Sequence, residues 1–306
     1  MYIFKKVLVG LDLTDLDETL MNFVSFITQS DRVEEIVFVH ILKEEEFPEA
    51  LKSEFPDLKE KTIEEKKKNI QEEVDKFLPG TGQKIDIIVK TGNIGRQMLH
   101  IIDIKDIDLI ILGRREKNEQ SGMLAQRLAR RAACAMLIVP EDSRPALDRI
   151  LVPIDFSDYS KQALEKAIDI ADHRKEKPQV ICMNVYKVPT GYHYTGKPFE
   201  EVAKRMKQNA KLEFKKFIHP IDTKGVPLKD LYDLDDNNDF TTNIVDIARQ
   251  EKADVVIIGA KGRTVSTAFF LGSIAEKLIQ LDSEFPLMVM RPKGRNAGFL
   301  EFFREL

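Results

Sequence analysis

Short unbroken apolar runs alternate along this chain with stretches in which apolar residues recur every three or four positions. Val7-Leu8-Val9, Leu109-Ile110-Ile111-Leu112, Met136-Leu137-Ile138-Val139, Ile150-Leu151-Val152 and Val255-Val256-Ile257-Ile258 are runs of the first kind. Their length and lack of polar alternation fit strands of a parallel sheet covered by helices on both faces. In the second half the pattern predicts strands near 149–154, 179–186, 226–232, 254–258 and 287–291. Ala163, Leu164, Ala167, Ile168 and Ala171 form a stripe with the helical period. Thr14 and Ser157 each stand just ahead of such a stripe and are expected to N-cap the helix. Helices are also expected near 241–250 and from Ser273 to Leu281. Residues 43–76, dense in Glu and Lys with sparse apolar positions such as Phe55, Leu58, Ile63, Ile70 and Val74, read with Phe77 as a long solvated helix.

The pattern is written twice. Lys6-Val7-Leu8-Val9-Gly10-Leu11-Asp12-Leu13-Thr14-Asp15 aligns with Arg149-Ile150-Leu151-Val152-Pro153-Ile154-Asp155-Phe156-Ser157-Asp158. Asp108-Leu109-Ile110-Ile111-Leu112-Gly113 aligns with Asp254-Val255-Val256-Ile257-Ile258-Gly259, and the copies close alike at Val139-Pro140 and Arg291-Pro292. A repeat this long signifies tandem domains rather than a solenoid. The expected class is α/β: two tandem doubly wound domains over 1–143 and 147–294, each a five-stranded parallel sheet flanked by helices, with a tail over 295–306.

Composition narrows the function. The 47 Lys and Arg nearly balance the 51 Asp and Glu, so a net charge of -4 provides no electrostatic footprint for nucleic acid or a membrane surface. No apolar run is long enough to span a bilayer and none forms a signal-peptide core near Met1, so a cytosolic location is expected. Cys134 and Cys182 lie one in each copy without a metal-ligand pattern and read as small buried hydrophobes. The five histidines are scattered, and no nucleophile elbow or His-Glu-x-x-His run is present.

The candidate chemistry sits at 259–273. Gly259 and Gly262 follow an apolar run, and after nine intervening residues come Gly272 and Ser273. Glycines after a strand let backbone N–H groups approach an anion, and the following helix presents its positive end. Neither the P-loop nor the dinucleotide fingerprint fits this spacing. In a doubly wound sheet the ligand crevice opens beyond the carboxyl ends of the strands, and Asp155 ends the first strand of this copy as Gly259 ends the fourth.

The Gly-x2-Gly-x9-Gly-Ser run resembles the ATP-binding signature of the universal stress protein family. That resemblance implies strand order 3-2-1-4-5, which makes strands one and four neighbours and puts Asp155 and the glycine loop in one crevice. It further implies Asp155 beside adenine and ribose, Val185 lining the adenine pocket, Gly259 under ribose and phosphates, and Gly262, Gly272 and Ser273 on the phosphate chain. Lys261 and Arg263 are charge partners for the phosphates or solvated side chains of an exposed loop. ATP with Mg²⁺ is the implied ligand. The two halves are expected to pair about a pseudo-twofold axis, and chains to form a homodimer.

The first copy departs from this signature. Glu116 replaces the second glycine, only five residues separate it from Gly122, and Met123 replaces the hydroxyl residue. A carboxylate there repels phosphate, so this copy is expected to bind no ATP and to serve as a structural partner. Asp233-Leu234-Asp235-Asp236-Asn237-Asn238-Asp239 resembles the opening of a calcium loop, but Asn238 and Ile244 stand where the turn glycine and the bidentate glutamate belong. The expected function is an ATP-binding stress sensor or adaptor. The alternatives are a slow ATPase, for which no water-activating residue can be named, and an interaction protein independent of nucleotide.

Overall fold

The computed structural model describes residues 4–29, 32–80, 82–115, 119–236, 239–262, 271–281 and 284–291. The chain forms two compact units that part between Pro145 and Ala146.

In the first unit the elements run β1 (Lys6–Leu11), α1 (Leu16–Thr28), β2 (Glu35–Leu42), α2 (Glu49–Glu54), α3 (Leu58–Phe77), β3 (Lys84–Thr91), α4 (Ile94–Lys105), β4 (Leu109–Arg114), α5 (Glu119–Arg131) and β5 (Ala135–Pro140). Its strands pair in parallel in the order β3-β2-β1-β4-β5. The second unit runs β6 (Arg149–Pro153), α6 (Asp158–Asp172), β7 (Gln179–Tyr186), α7 (Phe199–Ile218), β8 (Leu228–Leu234), α8 (Phe240–Gln250), β9 (Val255–Gly259), α9 (Ser273–Gln280) and β10 (Leu287–Met290). Its order, β8-β7-β6-β9-β10, is the same 3-2-1-4-5 arrangement, again all parallel. The central strands are buried on both faces, as at Leu8, Val37 and Ile110, and at Leu151, Ile181 and Ile257. Burial on both faces is why their sequences read as continuous apolar runs.

Each unit anchors its first strand with the same device. Asp108 Oδ2, just before β4, accepts the N–H groups of Lys5 and Lys6 at 3.0 and 2.8 Å. Asp254 Oδ2, just before β9, accepts those of Asp148 and Arg149 at 2.6 and 2.8 Å. The other ends differ. β1 stays in register with β4 from Val7↔Leu109 to Gly10↔Leu112, whereas β6 and β9 pair only at Ile150↔Val255 and Leu151↔Val256. Pro153 stands where the first unit has Gly10 and has no N–H to give a ladder. The second unit is thus clamped at the amino ends of strands one and four and unzipped at their carboxyl ends.

Four local expectations need correction. The helix expected over 43–76 is broken into α2 and α3, because Pro56 drives Phe55 out of helical geometry to φ -130 and ψ 77. Ser157 does cap α6 by accepting from Ser160 N–H, but Thr14 does not cap α1; the cap position is Asp15 and carries no side-chain bond. β8 lies at Leu228–Leu234 rather than 226–232. It is an edge strand of mostly half-buried residues in which Lys229, Asp230 and Asp233 interrupt the apolar positions, a weaker signal than an unbroken run. Lys261, expected on an exposed loop, is buried.

Candidate functional site

The site grows from the end of β6. Ile154 leaves the strand with its N–H donating to the Met183 carbonyl of β7 at 2.7 Å. Two residues on, Phe156 adopts φ 64, a left-handed conformation that costs a residue with a Cβ roughly 1–2 kcal/mol. That turn lets Asp155 Oδ1 accept from both the N–H and the hydroxyl of Ser157, at 3.0 and 2.6 Å. Oδ1 is therefore engaged within its own turn, while Oδ2 lies toward Gly262: a Cβ added there would stand 2.8 Å from it.

The glycines are required by close approach. A Cβ on Gly259 would meet the carbonyl carbon, carbonyl oxygen and Cβ of Tyr159 at 2.8 Å each, so the first turn of α6 rests on the end of β9. A Cβ on Gly272 would lie 3.3 Å from Lys261 Cα and 3.5 Å from Gly262 N. Gly272 N–H donates to the Ala260 carbonyl at 2.8 Å, folding the chain back onto the strand end. Gly272 is also the N-cap of α9 and supplies no side-chain acceptor. The helix start, with its outward N–H groups and positive end, therefore adjoins Gly262. Ser273 is the exposed first residue of α9.

Lys261 is only 7% exposed, and its Nζ lies 5.6 Å from the centre of the Tyr159 ring. Val185 is half-buried near the end of β7, on the far side of β6 from the glycine loop. Arg263 falls outside the described residues. The structure thus gathers Asp155, Gly259, Lys261, Gly262, Gly272 and Ser273 around the carboxyl ends of β6 and β9, with Val185 one strand away. Two residues that the sequence reasoning passed over also belong here. Tyr159 packs on both Gly259 and Lys261, and Asn184 donates to the Ile154 carbonyl at 2.7 Å. A lone polar residue inside the apolar run of β7 was the signal available for Asn184.

The corresponding place in the first unit is built differently. Leu13 repeats the left-handed turn at φ 60, and Thr14 Oγ1 donates to Asp12 Oδ1. Asp17, where the second unit has Ser160, accepts the N–H groups of Asp12 and Leu13 at 3.2 and 2.8 Å. Burial, assisted by the nearby Asp12 carboxylate, pushes the Asp17 carboxyl up to about 7 against the pull of those N–H groups and Arg115. Two acidic groups thus crowd the first-strand turn of this unit. Glu116 lies outside the described residues, as do Asn237 and Asn238 of the calcium-like run. Among the described residues no group of three or more His, Cys, Asp or Glu side chains could hold a metal ion, and no helix is long and apolar enough to cross a membrane.

Fold and site together define a tandem of doubly wound α/β units, the second of which brings three glycines and Asp155 together at its switch point. The sequence model of the universal stress protein family matches residues 3–140 and again 146–291, and the chain belongs to that family as a tandem member. A universal stress protein of Methanocaldococcus jannaschii is 30% identical over 159 residues, covering 47% of this chain and 83% of that relative. One from Bacillus subtilis is 23% identical over 150 residues, covering 47% of this chain and 99% of that relative. The crystal structure of a universal stress protein from Archaeoglobus fulgidus matches the fold over 95% of this chain and 98% of its own, at TM-score 0.64 and 16% identity.

Proposed function

We propose that the second unit binds an adenine nucleotide, ATP, and that the protein acts as an ATP-responsive sensor or adaptor in the cell's response to stress. The observation that carries this reading is the approach of Gly262 to Asp155, two residues far apart in sequence that meet beyond the short β6–β9 ladder. In this arrangement Asp155 faces the ribose, Val185 the base, and Gly259 the junction of ribose and phosphates. Gly262, Gly272 and the α9 N-terminus with Ser273 take the phosphate oxygens, with Lys261 and Arg263 as cationic neighbours. Mg²⁺ would arrive with the nucleotide and be held chiefly by its phosphates, since Asp155 Oδ1 is engaged by Ser157. The first unit, with Asp12 and Asp17 at its turn and Glu116 at the sequence position matching Gly262, binds no nucleotide and has a structural role. The intact protein is a cytosolic homodimer in this reading, which sedimentation checks.

The test is to denature freshly purified protein and identify any released small molecule by mass spectrometry, with Gly262→Asp as control and titration of added ATP alongside. One adenine nucleotide per chain, lost in the variant, is expected. No release and no binding of added ATP overturns the reading and leaves a nucleotide-independent interaction protein. Phosphate release followed in the same samples separates a binding module from a slow ATPase.

A further inference from the structure

Both units fasten the carbonyl that precedes their first-strand aspartate, and they do it with chemically different side chains. In the second unit the Asn184 amide, 7% exposed, donates through Nδ2 to the Ile154 carbonyl at 2.7 Å. In the first unit His40 Nδ1 lies 3.0 Å from the carbonyl of Leu11, the residue before Asp12. A carbonyl can only accept, so Nδ1 of His40 carries the proton in that bond. Both carbonyls lead into an aspartate followed by a residue with positive φ, Leu13 or Phe156.

We propose that Asn184 is a positioning residue for the nucleotide site. By holding the Ile154 carbonyl it fixes the peptide that carries Asp155 and so aims Oδ2 at the crevice beside Gly262. The proposal rests on the nucleotide-binding reading above. Its physical basis is the gap left by the short β6–β9 ladder, which ends at Leu151 and Val256. Beyond that point both polar groups of the Ile154 backbone are bound from β7, the N–H by the Met183 carbonyl and the carbonyl by Asn184. β7 therefore sets the register of the turn. An amide inside a strand whose neighbours Met183 and Cys182 are buried is costly unless its bond is made, and an apolar side chain would fill the same space without that requirement. A site that must orient one carboxylate within tenths of an ångström needs such support behind it.

The experiment compares ATP affinity by calorimetry with hydrogen exchange at the Ser157 amide in wild type, Asn184→Ala and Asn184→His, the last supplying the donor used by the first unit. Ile247→Val, a buried change in α8, is the control for general loss of stability. Asn184→Ala is expected to weaken ATP binding about tenfold and to speed Ser157 exchange, the scale of one lost hydrogen bond to a buried carbonyl. Asn184→His should recover most of both, and Ile247→Val should lower the melting temperature with affinity unchanged. Wild-type affinity in Asn184→Ala, or failure of Asn184→His to rescue a well-folded protein, overturns the positioning role. If wild type itself binds no ATP, the nucleotide reading fails and takes the ligand-aiming role with it. Ser157 exchange then decides separately whether Asn184 orders the turn.

Discussion

Gly262 approaches Asp155 so closely that a single added methyl group would stand 2.8 Å from the carboxylate Oδ2. A real Cβ is essentially never that near a neighbouring atom, so alanine at 262 must displace the Asp155 carboxylate. The backbone at Gly262 lies outside the left-handed region, so alanine brings no conformational strain of its own. Gly262→Ala is therefore expected to melt close to wild type while losing ATP affinity by about tenfold, some 1.4 kcal/mol. Calorimetric titration beside a thermal melt checks it, and an unchanged affinity would mean that Asp155 does not face the ligand.

Gly259 should behave in the opposite way. Its missing Cβ is replaced by the backbone of Tyr159, which can move only if the first turn of α6 moves. Gly259→Ala is expected to destabilise the second unit by roughly 1–3 kcal/mol through overpacking. In the first unit the matching Gly113 faces the side chain of Leu16 rather than backbone, at 2.4 Å for the nearest atom. Rotation of that leucine can absorb part of the intrusion, so Gly113→Ala should cost less. Chemical denaturation of both variants gives the comparison.

These two glycines mark the limit of what was legible in the chain. Spacing singled out Gly259 and Gly262 as positions where the chain turns closely after a strand, and apolar runs located β6, β7, β9 and β10, because strands buried on both faces leave no polar alternation. What each glycine touches depends on a partner far away in sequence, Tyr159 for one and Asp155 for the other. Lys261 shows the same limit: a lysine in a glycine-rich loop reads as solvated, yet in the fold it is buried, with Nζ 5.6 Å from the centre of the Tyr159 ring. Asn184 stood inside an apolar run without any pattern to say which carbonyl it would meet. The break at Pro56 was open to local reasoning, since the residue before a proline avoids the helical region, but the long Glu and Lys periodicity masked it.

The cysteines should be chemically silent in the native protein. Cys134 and Cys182 are both free and buried, and burial, with the Asp230 carboxylate nearby, pushes the Cys182 thiol up to about 12. The thiolate is the reactive form, so almost none is present at Cys182 near neutrality. A thiol-specific chromogenic reagent at about pH 8 is expected to find no reactive cysteine in folded protein and two after denaturation, a value set by the thiolate requirement together with burial. Rapid native labelling at Cys182 would contradict its burial within β7.

Asp17 gives the first unit a pH dependence of definite sign. In the folded protein its carboxyl keeps a proton up to about 7, whereas its ordinary value is 3.8. Between those limits the native state holds more protons than the unfolded state, so stability falls as pH rises. The contribution is fully present below the lower value and lost above the upper one. Water reaches this half-buried side chain, so the effect should be a fraction of what complete burial would produce. Asp17→Asn preserves the shape and an oxygen to accept a backbone N–H, but cannot ionise. Denaturation at about pH 4, 6 and 8 is expected to show wild type losing stability relative to the variant as pH climbs, because only the wild-type carboxyl must ionise beside Asp12. Parallel curves for the two proteins would remove Asp17 as the source, and a wild-type advantage at the highest pH would reverse the sign argued here.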